Sequence, residues 1–208
     1  MLRRDTSRAL SLLLFLWLTA ACAPSQQASI DHEGSAIGDH AGMNDMSMGV
    51  TALEGLSGAE FEIAFLDMMI AHHDSAIEMA KIAQDRSARP EIKAVAEAII
   101  TTQQSEIDTM QGWLQGWYER EASGGDDHGM SMTNEVEALR TMPSDQFDLA
   151  FLEAMTVHHE GAIQMAELVA ARTDRPELTA LATAIISAQQ AEVAQFERWR
   201  SEWHEVTP

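Results

Sequence analysis

The residues best suited to chemistry are two histidine pairs, His72-His73 and His158-His159, each with a methionine one helical turn before it, Met69 and Met155. On a helix, side chains three and four apart are neighbours, with Cβ atoms roughly 5–6 Å apart. A thioether and an imidazole at that spacing can reach one ion. That donor set suits a soft, low-charge cation such as Cu(I) or Ag(I), whereas hard cations prefer oxygen. Met79 and Met165 follow seven residues after the first histidine of each pair. That places them about 10 Å along the axis, a distance that fits core packing better than sharing the same ion. Methionine on an apolar stripe is in general more often filler than ligand.

The two pairs are copies. Phe61 to Ala80 returns as Phe147 to Ala166 at an offset of 86 residues without a gap. The same offset maps Arg89-Pro90-Glu91 onto Arg175-Pro176-Glu177, Gln103 and Glu106 onto Gln189 and Glu192, and Trp113 and Trp117 onto Trp199 and Trp203. Ser57-x-x-Glu60 is a capping-box signature, so a helix should begin near residue 58. Phe61, Phe65, Met69, His72, His73, Ala76 and Met79 or Ala80 form its inner stripe, and Asp67, Asp74 and Glu78 its outer side. The helix should end around 86–89, with Pro90 opening a second helix that runs to about Glu121. Ala96, Ile99, Gln103, Glu106, Ile107, Met110 and Trp117 make the inner stripe of that helix. A second helix pair should run from about 144 to 206. Val50-x-Ala52-Leu53 and Val136-x-Ala138-Leu139 suggest a duplicated lead-in turn or helix.

One such hairpin buries little core, but two packed together form a four-helix bundle with a pseudo-two-fold axis. No segment alternates with period two, so the fold class is all-α. The expected organisation is a first repeat at 50–121, a loop at 122–134 and a second repeat at 135–206. The pseudo-symmetry could bring both histidine pairs to the bundle axis, giving up to four imidazoles and two thioethers. Glu106 and Glu192 could accept the spare N–H of a metal-bound imidazole or ligate directly. With Gln103 and Gln189 they could equally pair with one another as structural groups.

The loops repeat this chemistry. His40, Met43, Met46 and Met48 lie in one polar, glycine-containing stretch, and His128, Met130 and Met132 in another. No core needs methionine there, and such clusters suit loose, exchangeable capture of Cu(I) or Ag(I).

Arg3, Arg4 and Arg8 precede an apolar run, Ala9 to Leu18, ending in Thr19-Ala20-Ala21-Cys22. This reads as an export signal over 1–21. It resembles a lipobox with Cys22 as the acylated residue, although Thr19 stands where leucine is usual; plain cleavage is the alternative. Residues 22–49 then read as a flexible tether. Removing three Arg and one Asp with the signal takes the formal charge from −20 to −22. Such acidity argues against nucleic acid and anionic membrane as partners, leaving membrane association to an amino-terminal lipid. With a single cysteine there is no intrachain disulfide and no thiolate cluster.

The pattern Phe61, Phe65, Met69, His72-His73, Ala76-Ile77, Met79-Ala80, followed by Ala96, Ile99-Ile100, Gln103-Gln104, Glu106 and a tryptophan, resembles domain-of-unknown-function family 305. The resemblance spans nearly all of 58–206. It implies a ferritin-like helical fold and an exported, periplasmic or surface metal-binding role, with some members tied to copper and silver tolerance. It would carry metal binding onto Met69, His72, His73 and Met79, and onto Met155, His158, His159 and Met165. The family usually holds a methionine one turn after the glutamate; Met110 fits, but Phe196 replaces it in the second half.

The function expected is a non-enzymatic Cu(I) or Ag(I) binding protein without an organic cofactor, periplasmic and lipid-anchored. It would act in buffering, resistance or delivery to another copper-handling protein, with a homodimer as one possible assembly. A di-iron or di-manganese oxidase is the first alternative, but such sites use inward Glu-x-x-His pairs, and methionine occupies the glutamate position here. A metal-free helical adaptor is the second. No nucleophile–base pair, phosphate loop or dinucleotide fingerprint is present.

Overall fold

The computed structural model describes residues 50–123 and 133–204. The expected export signal, Cys22, the tether with His40, Met43, Met46 and Met48, and the loop histidine and methionines His128, Met130 and Met132 lie outside the described residues.

The described chain is an all-α helical bundle of six helices: α1 (50–54), α2 (Gly58–Arg86), α3 (Pro90–Tyr118), α4 (Thr133–Thr141), α5 (Phe147–Glu167) and α6 (Pro176–His204). A 3-10 turn, Val169–Ala171, follows α5. Helices α2 and α3 pack as one hairpin, α5 and α6 as a second, and α2 lies against α5 and α4. None of the described helices is long and apolar enough to cross a membrane.

Local chemistry sets the helix ends. Ser57 is the N-cap of α2, but its side chain makes no capping hydrogen bond, so the capping box is not formed. The Gly58 N–H instead donates to the Arg172 carbonyl at 2.8 Å. Gly58 sits at φ +57, where glycine carries no Cβ penalty. At the other end Arg89 is extended, the conformation imposed on a residue before proline, and Pro90 opens α3 where its missing N–H costs nothing. Helix α3 ends at Tyr118, earlier than Glu121, because Glu119 turns left-handed (φ 53) and its N–H closes onto the Gln115 carbonyl.

The core consists of two apolar lobes that exchange equivalent layers. One contains Phe61, Phe65, Met69, Met110 and Leu114 from the first half with Met165, Val169, Leu178, Ala182 and Ile185 from the second. The other contains Phe147, Phe151, Met155 and Phe196 from the second half with Met79, Ala83, Ile92, Ala96 and Ile99 from the first. Adding 86 to the first-half members and subtracting 86 from the second-half members turns one set into the other at nearly every position, which is the mark of a pseudo-two-fold axis between antiparallel α2 and α5. Along both helices the histidine pair falls where one lobe gives way to the other.

Arginines lock the halves by crossing between them. Arg86 donates to the carbonyls of Leu139, Arg140 and Met142 at the end of α4, and its counterpart Arg172 donates to the Leu56 carbonyl after α1. A cation there satisfies carbonyls that a helix terminus leaves unpaired. Arg89 pairs with Asp148 and stacks on Trp203, while Arg175 pairs with Glu62 and stacks on Trp117.

Asp67 corrects one expectation. It was placed on the outer face, yet it is buried and held by Arg120 Nη2 and the Ser123 N–H, each at 3.0 Å. The chain leaving α3 folds back over it, a tertiary contact that helical periodicity does not register.

Candidate metal centre

Each histidine pair sits mid-helix, one turn after a buried methionine and one turn before a buried alanine, Ala76 or Ala162, so helix packing carries the rings inward. His72, His73, His158 and His159 are all buried. The arrangement differs from four imidazoles gathered on the axis. His72 and His158 meet across the α2–α5 contact with ring centroids 3.7 Å apart and planes tilted by 45°. His73 and His159 turn to the opposite helix of their own hairpin. His73 Nε2 lies 2.8 Å from Glu106 Oε2, and His159 Nε2 lies 2.6 Å from Glu192 Oε2. The reason is geometric: adjacent residues on a helix point about 100° apart, so a pair cannot aim both rings at one axis.

Neither ring nitrogen of His72 or His158 has a hydrogen-bond partner, and Nδ1 of His73 and of His159 is likewise unpartnered. Buried polar atoms are nearly always paired, and each one left unmet costs about 1–3 kcal/mol. Six such nitrogens in one layer therefore point to a ligand that the protein alone does not supply. Burial pushes the His72 and His158 imidazoles well below the ordinary value of 6.5, and the nearby histidines push the same way. The His72 backbone near His158 acts weakly in the opposite direction without forming a hydrogen bond of acceptable geometry. Both rings are thus held neutral, the form that binds metal.

Thioethers flank this layer. Met69, Met110 and Met165 belong to one lobe, and Met79 and Met155 to the other; all are buried. Because α2 and α5 run antiparallel, Met165 joins the lobe of Met69, and Met79 that of Met155. Distance from their own histidines was the reason for reading Met79 and Met165 as filler; the packing regroups each with the other half's methionine, but both histidine pairs lie in one layer, so the axial offset is not shortened. At the Met110 position of the second lobe stands Phe196, its ring 5.7 Å from His159.

Glu106 and Glu192 thus contact imidazole in the described state. Their bonds orient one nitrogen and leave the other to bind. Among the described residues no three His, Cys, Asp or Glu side chains form a metal-binding group. Nitrogen from the facing pair plus sulfur fits that composition, whereas a carboxylate-rich dimetal centre does not. The facing of His72 and His158 was legible in principle: a residue on a two-fold axis meets its own counterpart, and these two differ by 86.

The family model described as domain of unknown function (DUF305) matches residues 13–114 and 62–200. The chain belongs to the DUF305 family. Solved structures agree. CopM in its Cu(I)-bound form is 35% identical, with 68% of this chain and 96% of that one covered and a TM-score of 0.62. CopM soaked with silver gives 35%, 68%, 96% and 0.60. A DUF305 putative secreted protein from Streptomyces coelicolor is 28% identical, covering 68% and 93%, with a TM-score of 0.61. No curated protein matches.

Proposed function

We propose that this protein is an exported Cu(I) or Ag(I) binding protein that uses histidine and methionine ligands inside a ferritin-like four-helix bundle. The observation carrying this reading is the facing pair His72 and His158, buried and unpartnered at every ring nitrogen, with methionines in the lobes on both sides. His73 and His159 would add Nδ1 while Glu106 and Glu192 fix their rings. Met69 and Met110 would supply sulfur at one end and Met155 at the other, with Met165 and Met79 as the next thioethers outward in the same lobes. The likeness to CopM, whose solved forms carry copper and silver, supports the choice of ions.

The remaining parts fit the same role. Residues 1–21 would direct export, Cys22 would carry the lipid, and 22–49 would tether the bundle, in keeping with a relative described as a putative secreted protein. His40, Met43, Met46 and Met48 in the tether and His128, Met130 and Met132 in the loop would capture ions and pass them inward. Repeats at 50–121 and 135–206 would each build one end of the buried centre, with His72 and His158 meeting between them. The role is buffering, resistance or delivery to another copper-handling protein, and catalysis is not required.

The test is anaerobic loading with Cu(I) or Ag(I) and metal counting after gel filtration. Changing His72, His73, His158 and His159 together to alanine should abolish the tight sites while helix content by circular dichroism persists. Unchanged stoichiometry in a folded variant ends the proposal.

A further inference from the structure

A second polar site lies behind the histidine layer, between α3 and α6. A cavity of about 10 Å³ there is lined by Ile99, Thr102, Gln103 and Glu106 and, 86 residues on, by Ile185, Ala188, Gln189 and Glu192. It therefore straddles the pseudo-two-fold axis. Its size matches one water-sized occupant, the smallest space that can hold one. Gln103 and Gln189 are each only 3% exposed, and in both the Oε1 atom has no hydrogen-bond partner. Glu106 and Glu192 give Oε2 to imidazole and keep Oε1 as a further acceptor. Their side chains are 14% and 25% exposed, so solvent reaches this end of the site.

The unmet polar atoms of the lining, Gln103 Oε1 and Gln189 Oε1, are acceptors, and the carboxylates of Glu106 and Glu192 accept as well, so the occupant that satisfies them brings positive charge or donated protons. Two carboxylates within a strongly acidic chain tip that choice toward a cation. Oxygen-only donors of this kind select hard ions and not the soft ones suited to thioether and imidazole. We propose that Gln103, Gln189, Glu106 and Glu192 form a distinct binding site for one small divalent cation of the oxygen-preferring class. The site does not require a soft ion in the histidine layer.

The probe is Mn(II), whose six-line solution EPR signal is lost on binding. The chain is titrated metal-free and again after loading with Ag(I), which is silent in EPR, with silver counted in the same samples. One Mn(II) per chain is expected in both cases. In Gln103→Leu/Gln189→Leu its affinity should drop by about tenfold or more, with the silver count unchanged. The near-isosteric Gln103→Glu should tighten Mn(II) binding, which keeps the test decisive if the leucine variant folds poorly. If no Mn(II) binds, the cavity holds water only and the proposal is wrong. Binding that ignores both substitutions belongs to the acidic surface and overturns it equally. An unaltered chain that takes up no silver but one Mn(II), lost in the leucine variant, would count against the soft-ion reading and support this one.

Discussion

The two ends of the bundle are copies that have ceased to be equal. At one end His73 meets Glu106, and Met110 stands one turn further along α3 in the same lobe as Met69 and Met165. At the other, His159 meets Glu192, and one turn further along α6 Phe196 lays its ring against His159. Sulfur has been exchanged for an aromatic ring at a single position, while burial and the histidine–glutamate bond are kept. The difference separates two jobs. Phenylalanine fills the buried position as methionine does, so the lobe survives; on the proposed reading, what falls is the number of sulfur donors at that end. The first end should bind more tightly than the second.

That contrast can be broken in stages. The largest effect should come from removing the groups that aim the histidines: Glu106→Ala and Glu192→Ala should each weaken silver binding at their own end by about 10–100-fold. Competition titration resolves the two ends, and equal loss from both sites in either single variant would deny that they are separate. Next come the exchanges at the unequal position. Phe196→Met should raise the affinity of the weaker end toward that of the stronger, and Met110→Phe should level the two downward at a stability cost of about 1–3 kcal/mol. Two ends already matched in the unaltered protein would remove the contrast altogether.

Acid should act on the shared centre. The folded pKa values of His72 and His158 lie below the unfolded value near 6.5, so the unfolded chain takes up protons first. Above about pH 6.5 that contribution to stability is complete. It declines as pH falls below this value toward the depressed folded ones. Urea melts of the metal-free protein between pH 7.5 and 5 should show it, and His72→Ala/His158→Ala should flatten the profile.

The smallest effect concerns the crossed arginines, again unequal. Burial pushes the Glu62 carboxyl up, but hydrogen bonds from Thr173, Tyr118 and Arg175 outweigh it and hold the group below its usual range. Arg175→Ala should therefore cost about 1–2 kcal/mol, discounted because the arginine is partly exposed. Arg89→Ala faces the more exposed Asp148 and should cost under about 1 kcal/mol. Chemical denaturation of the two variants gives the order directly.

Much of this was legible in the sequence, for identifiable reasons. Periodicity and the Arg-Pro-Glu punctuation marked the helices because both are local. The repeat implied pseudo-symmetry and both histidine pairs at the axis; of the four rings only His72 and His158 meet there, because adjacent residues point about 100° apart. What stayed hidden depends on contacts distant in sequence. Asp67 looked solvent-facing until the chain after α3 covered it, and Glu62 gave no sign of its partners across the halves. The regrouping of Met165 with Met69 needs the antiparallel packing of α2 and α5, which helical spacing alone does not fix. The 3-10 turn after α5, where the equivalent stretch of α2 stays helical, also has no signature in the residues.

The crossed arginines have an evolutionary corollary. Each repeat, cut free, would present an uncapped lead-in helix and a lone carboxylate, both of which an identical second chain could satisfy, so the fold has the architecture of a symmetric dimer joined into one chain. In a dimer of identical subunits one codon governs both sites, and neither can drift alone. Splicing releases that constraint at little entropic cost, since closing a longer connection adds only slowly to the penalty. The swap of sulfur for a ring at position 196 is the kind of one-sided change that only the fused chain permits.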